Sequence, residues 1–251
     1  MKFLAMADLH GQLPELNVSG IDAVFIAGDI APHYSYNVRE DTLAQTEWFS
    51  EEFHEWAVAL RRPVFACYGN HDWGTWHYNR QLAVSHSEIP PLVTVSNANR
   101  IRVKWCEEYV DIVLFAWTKY FNKWNYETKD MDADPLPPFT DRLYDDSSIE
   151  ARLGRLCGPQ DGIPEIWVSH GPPYGHCDTV QGNQGQPIGS KALLAAAERH
   201  KPFAIVTGHC HTGRRYSEIG CYTDRVTKVF NCSLLNEDYA MEYEPVVFEM
   251  A

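Results

Sequence analysis

No Cys-x-x-Cys pair occurs in the 251 residues, and the seven cysteines, at 67, 106, 157, 177, 210, 221 and 232, are odd in number. This excludes a disulfide framework and a thiolate zinc knuckle, and fits free thiols in a reducing, cytoplasmic setting. No apolar run reaches membrane-spanning length. The short apolar start is broken at once by Asp8 and His10, so neither a signal peptide nor a membrane partner is expected. Positive charge is scarce: 21 Lys and Arg stand against 34 Asp and Glu, a formal net charge of −13. A surface of that sign repels a polyphosphate backbone, so long nucleic acid is not the expected partner. Internal repeats are missing as well, which leaves out solenoids and propellers.

What is present is ordinary globular material, 45% apolar and 22% charged. The length suits one layered α/β domain over 1–251. Short β-forming runs recur at Lys2–Ala7, Ala23–Ala27, Pro63–Tyr68, Glu165–Ser169 and Phe203–Thr207, each followed by glycine or polar residues. Leu92–Val95, Ile101–Trp105 and Val110–Trp117 read as antiparallel strands of a second sheet, and Arg214–Ile219, Val226–Asn231 and Pro245–Glu249 as hairpin-like strands. Leu43–Arg61 places Phe49, Phe53, Trp56, Ala57 and Leu60 at helical spacing, with Glu47, Glu51, Glu52 and Glu55 on a solvated face. Ser147-Ser148-Ile149-Glu150 has the pattern of a capping box, and Ser190 is placed to cap a helix running to about His200. Residues 119–146 lose all periodicity and read as a rim or lid loop.

The chemistry gathers at the strand ends. In order these carry Asp8-x-His10, Gly28-Asp29, Gly69-Asn70-His71-Asp72, His170-Gly171-Pro172-Pro173 and Gly208-His209-Cys210-His211. In an extended strand, residues two apart share a face, so Asp8 with His10, and His209 with His211, would each aim two donors at one place. Any one block has a plain reading as a turn or a solvated loop histidine. Five in succession do not.

These five blocks resemble the calcineurin-like metallophosphoesterase superfamily, over most of the chain. The resemblance implies a four-layer α/β/β/α sandwich, with two mixed β-sheets flanked by helices. It further implies a dinuclear centre. One divalent transition-metal ion would be held by Asp8, His10, Asp29 and His211, and the other by Asp29, Asn70, His170 and His209, with Asp29 bridging. His71 would be the acid beside the substrate. Carboxylate, imidazole and amide donors without thiolate suit Mn, with Fe, Zn or Ni as alternatives. Such a pair supports in-line attack on phosphorus by a bridging hydroxide, while a histidine protonates the leaving oxygen.

Departures narrow the group. Pro32 stands where purple acid phosphatases carry a tyrosine, Pro32-His33 and Asp72 break the protein-phosphatase signatures, and His71 stands where lipid A-type pyrophosphatases carry arginine. His170-Gly171-Pro172-Pro173, the segment Trp117–Tyr126 and the tail pieces Asn231–Asn236 and Pro245–Glu249 resemble more closely the MPPED-like and cyclic-nucleotide phosphodiesterase group, in which homodimers are common. The expected activity is hydrolysis of small phosphodiesters, with phosphomonoesters or phosphoproteins as the alternative substrates. A nuclease is disfavoured by the acidic charge, and a non-catalytic scaffold by the complete ligand set. Trp73, Trp76, Trp117, Tyr120, Trp124 and Tyr174 could stack a base, with Trp117, Tyr120 and Tyr174 the selected substrate contacts; each ring also fits ordinary packing.

Overall fold

The computed structural model describes residues 1–35, 38–74, 86–87, 92–105, 107–119, 143–156, 162–180, 186–212, 216–220 and 226–250. In chain order the strands begin with β1 (Lys2–Met6), β2 (Ala23–Ala27), β3 (Val64–Cys67), β4 (His86–Ser87), β5 (Val93–Ser96), β6 (Ala98–Trp105) and β7 (Glu108–Phe115). They continue with β8 (Thr118–Lys119), β9 (Leu143–Tyr144), β10 (Glu165–Ser169), β11 (Ala204–Thr207), β12 (Tyr216–Ile219), β13 (Thr227–Asn231) and β14 (Val246–Glu249). The helices are α1 (Val38–Trp48), α2 (His54–Ala59), α3 (Asp146–Leu156) and α4 (Lys191–His200), with a π-helical turn at Phe49–Phe53 joining the first two. The 120–142 part of the expected lid lies outside the described residues.

Two mixed sheets form a sandwich. The first has the order β14-β1-β2-β3-β5 and the second β12-β13-β11-β10-β7-β6-β4. Residues of β1, β2 and β3 are buried almost without exception, because strands covered on both faces need continuous apolar runs. Phe3 and Phe65 meet the second sheet at Trp105, with ring centroids 5.6 Å apart for Phe3–Trp105 and 6.3 Å for Phe65–Trp105. Helix residues Trp48, Phe49, Phe53 and Ala57 join the same core.

The second sheet alternates cleanly. Ile112, Leu114, Ile166, Val168, Ala204 and Val206 enter the core shared with the first sheet. Val113, Phe115, Trp167 and Ile205 turn the other way, onto Ile149 and Leu153 of α3 and Leu193 and Ala197 of α4. This period of two gives each strand two buried faces and produces the expected four layers. Each fully buried large side chain here contributes about 1.5–3 kcal/mol.

Several local expectations need correction. The run after Leu92 does not join the second sheet: β5 pairs parallel with β3, Val64 opposite Val93. Only Asn97 separates it from β6, so this short turn carries the chain between sheets rather than closing a hairpin. Nor is β14 a hairpin partner of its neighbours; it pairs antiparallel with β1, Lys2 opposite Glu249. The expected antiparallel pairing holds for β6 with β7, Ile101 opposite Ile112, and for β12 with β13. Helix α3 is capped by Asp145, whose Oδ1 accepts from the Ser148 N–H at 2.8 Å and from the Ser147 hydroxyl at 3.0 Å. A carboxylate two residues before Ser147 thereby replaces the expected capping box. The Ser190 cap is as expected, with its hydroxyl oxygen accepting from Leu193 N–H at 3.0 Å. Among the described residues no helix is long and apolar enough to cross a membrane.

One buried charge network ties three strands of the second sheet. Asp111 on β7 is fully buried. It accepts from Arg100, and from Arg102 Nε at 2.8 Å and Nη2 at 2.9 Å, while Arg100 Nη1 also reaches Glu165 at 2.7 Å. Removing Asp111 takes from both guanidinium groups the carboxylate they share, at a largely buried position. Asp111→Ala is therefore expected to cost about 3 kcal/mol, read as a lower denaturant midpoint with an unchanged slope.

Candidate metal centre

The parallel strands of both sheets deliver their C-terminal ends to one edge, where open α/β sheets characteristically place ligands. Beyond those ends the backbone is not extended. Asp8 (φ 55°), His10 (φ 42°), Asp29 (φ 51°) and His209 (φ 69°) are all left-handed. The expected sharing of a face by strand alternation is thus replaced by sharp turns, each held against about 1 kcal/mol or more of strain. A ladder holds them: Asp8 N–H donates to Gly28 O (3.0 Å), His10 N–H to Asp29 O (2.9 Å) and Gly11 N–H to Ile30 O (2.8 Å). In the second sheet Gly208 N–H donates to His170 O at 3.1 Å.

The turns assemble two donor groups, Asp8–His10–His211 and Asp29–His170–His209, each with one ligand atom per residue lying within 4.8 Å of the others. The adjacent pair His209 and His211 therefore divides between the two groups instead of aiming at one place. Each group draws on both sheets. Asp29 touches both: its Oδ2 is 3.2 Å from His170 Nε2 and 3.8 Å from His10 Nε2. Asn70 Oδ1 lies 2.9 Å from His170 Nε2, so an amide oxygen joins the second group. His71 stands beside both, with its N–H donating to Asp29 Oδ1 at 2.8 Å and its ring 5.4 Å from that of His10.

Hydrogen bonds orient the rings. His170 Nδ1 is 2.8 Å from Ala27 O, and His211 Nδ1 is 3.1 Å from Asn236 O. In each case the Nε2 edge is left for the centre, the arrangement in which an outer partner fixes a ligating imidazole. Both ring nitrogens of His10 are buried and find no hydrogen-bond partner among the described residues, a cost that a bound cation would relieve.

The electrostatics agree. Burial pulls His10 down to about 4 and His209 down to about 3, the latter helped by the charge of His170, so both rings are neutral near pH 7. Burial alone would raise Asp8 and Asp29. His211 and His170 hold Asp8 below the ordinary carboxylate range, and His170 and His71 hold Asp29 well below it. Burial would lower His170, but the charge and hydrogen bond of Asp29 raise it to about 9. Binding of a cation there would compete with protonation of His170. Two carboxylates, four imidazoles and an amide oxygen, with an orphaned buried ring, fit a pair of divalent ions. Cys210 takes no part; burial, then the charge of Asp8, pushes its thiol well up.

Several positioning residues escaped the sequence reading. Asp72, fully buried, accepts from Ile30 N–H and Ala31 N–H at 2.8 Å each and from Gly69 N–H at 2.7 Å, which staples the loop after β2 to the loop after β3. Gln45 donates to Pro32 O (2.9 Å) and His71 O (3.0 Å) and accepts from Trp73 N–H (2.6 Å) and Gly74 N–H (2.8 Å). Its signal was present: Asp41, Gln45 and Phe49 are four apart, so polar side chains sit on the apolar face of α1. Of the expected rim, Trp117 packs on Phe115 (4.8 Å) and under the Arg152 guanidinium (4.7 Å), and Tyr174 lies under Lys191 (5.0 Å). Tyr120, Trp76 and Trp124 lie outside the described residues.

The two sheets approach closely at Gly28 (φ 81°), where an added Cβ would sit 2.5 Å from His170 Nδ1. Gly28→Ala is expected to push the His170 ring off Ala27 O and to lower metal content by about one equivalent, read by elemental analysis of protein purified without chelator. Gly20→Ala is the control: it shares the left-handed backbone (φ 70°), but its Cβ would meet nothing within 4 Å.

Comparison with known proteins agrees with this geometry. The family profile of calcineurin-like phosphoesterases matches residues 1–213. A segment of 87 residues is 38% identical to a UPF0046 protein of Caenorhabditis elegans; the match covers 34% of this chain and 20% of that protein, so the chain spans about a fifth of the length of this curated relative. One solved crystal structure superposes over 92% of this chain and 89% of its own, with a TM-score of 0.59 at 14% identity. TT1561 of Thermus thermophilus does so over 91% and 88%, with a TM-score of 0.52 at 17% identity. These two likenesses speak for the fold. With the sandwich, the five strand-end blocks and the profile match in agreement, the chain belongs to the calcineurin-like phosphoesterase family.

Proposed function

We propose that this protein is a dinuclear metal-dependent phosphoesterase that hydrolyses small phosphodiesters, cyclic nucleotides among them. The observation that carries the reading is the position of Asp29, whose Oδ2 faces a histidine of each donor group. A carboxylate so placed can be shared by two ions. Asp8, His10 and His211 would complete one ion's ligand set, and Asn70, His170 and His209 the other's. When bound, two such ions supply Lewis acidity and a hydroxide nucleophile for an in-line displacement; manganese is the favoured ion, with Fe, Zn or Ni as alternatives for these donors.

The chain's own residues supply the rest. His71, held by its N–H on Asp29 and its carbonyl on Gln45, stands beside the centre to protonate the leaving alkoxide. Asp72 and Gln45 keep that loop from relaxing, so the proton donor and the ligands hold one geometry. The diester preference draws on the resemblance to MPPED-like enzymes, and the tail that carries part of it packs directly behind the site. There Asn231 Nδ2 donates to Cys210 O at 2.6 Å, and Asn236 O faces His211.

The test compares initial rates on bis(p-nitrophenyl) phosphate and p-nitrophenyl phosphate with added Mn²⁺ and with EDTA. Faster turnover of the diester, abolished by EDTA and lost in Asn70→Ala and His209→Ala, is the expected result. Faster monoester turnover would move the assignment to a phosphomonoesterase on the same site. Neither activity nor bound metal would overturn it in favour of a scaffold.

A further inference from the structure

Tyr239 is placed where neither packing nor solvent exposure alone accounts for it. Its ring centroid lies 4.9 Å from that of His10 and 5.1 Å from that of His211, at interplanar angles of 69° and 70°. Those two imidazoles belong to one donor group. Yet the residue remains 50% exposed. A ring that served only to seal the histidines from water would be buried; this one touches the centre with one part of its surface and keeps the remainder open.

Its backbone is held as firmly as the ligands themselves. Tyr239 is left-handed at φ 59°, a conformation that a residue with a large side chain avoids unless its surroundings impose it. Asn236 imposes it. The Asn236 Oδ1 accepts from Asp238 N–H (2.9 Å) and Ala240 N–H (3.0 Å), and its carbonyl accepts from Tyr239 N–H (3.0 Å). That carbonyl also faces His211 Nδ1 at 3.1 Å. From the other side, Gln12 Nε2 donates to Tyr239 O at 3.2 Å. The turn is thus anchored to the chain beside His10 and to the ring of His211, so the backbone that carries the phenol is held relative to that donor group.

On the His211 side of the donor group opens a cavity of about 500 Å³, lined by His211, Thr179, Thr212, Asn236, Asp238 and Tyr243 among others. That volume suits a small organic group. The carboxylate of Asp238 on its wall repels a second phosphate, which favours an ester with a single phosphorus.

We propose that Tyr239 is a specificity-determining residue, presenting a preset aromatic surface on which a planar group of the ester, an aryl or nucleobase ring, stacks while its phosphate lies at the Asp8–His10–His211 side. This deepens the phosphoesterase reading and rests on it. A fixed ring loses little entropy on binding, so it favours planar substituents over alkyl ones of the same charge.

The experiment uses two diesters with one leaving group, bis(p-nitrophenyl) phosphate and methyl p-nitrophenyl phosphate, so the difference in kcat/KM reads recognition of the second substituent. Tyr239→Gly removes the ring at a position whose backbone suits glycine, and Tyr239→Phe keeps the ring. The aryl-to-methyl ratio is expected to fall about fivefold in Tyr239→Gly, the worth of one ring contact, and to hold in Tyr239→Phe, with metal content equal in all three proteins. An unchanged ratio in Tyr239→Gly, or equal loss on both esters, would overturn the proposal, since the ring would then serve only to support the histidines. If the unaltered protein hydrolyses neither ester, the phosphoesterase reading fails separately. The same variants are then compared by calorimetric binding of phenyl phosphate and methyl phosphate to the Mn²⁺-loaded protein. Loss of phenyl preference in Tyr239→Gly supports the proposal, and equal preference overturns it.

Discussion

A buried carboxylate has to be paired from every side, and that requirement at Asp29 organises the site. The residue is 2% exposed. One oxygen takes the His71 N–H; the other faces His170 and His10. An unpaired charge at that depth would cost several kcal/mol, so the surrounding turns are constrained to arrive at fixed positions. The glycines follow from the same demand: a Cβ on Gly69 would lie 2.0 Å from Asp29 Oδ1. Only a residue without a side chain lets the loop after β3 come close enough to hand its backbone to the carboxylate.

Around that centre the polar network is built from loop-to-loop staples rather than from surface ion pairs. Asp72 joins the loops after β2 and β3, Gln45 joins the same region to α1, and Asn236 joins the last histidine to the tail. Asp72 and Gln45 bond backbone groups through their side chains, and Asn236 holds the His211 ring through its own carbonyl. Such bonds fix main-chain positions, and through them the ring and carboxylate directions that a ligand set requires. The strain of four left-handed donors is tolerable because these staples over-determine it.

Much of this was legible in the chain. The five strand-end blocks, the buried runs of β1, β2, β10 and β11, and the Ser190 cap are local signals, and the structure agrees with them. What was not legible is non-local. Nothing in Val93–Ser96 says that its partner is β3 rather than β6, and nothing in Val246–Glu249 says that it will cross to β1. Register between distant strands is decided by which faces need cover, not by the strand's own residues. Tyr239 escaped for a related reason. A tyrosine in an acidic, polar turn reads as surface, and only the turn's hydrogen bonds show it to be held against His10 and His211.

Each donor group takes residues from both sheets, and Asp8 meets the His209 amide 201 positions away in the chain. During synthesis at about 5–20 residues per second, the first ligands wait on the order of ten seconds or more for their partners. Until then β1 also lacks β14, the strand that covers its outer edge. The nascent chain therefore presents an apolar, unpaired strand edge and an incomplete set of carboxylate and imidazole donors at the same time. Closure of the first sheet and completion of the donor set both wait for segments made long after β1.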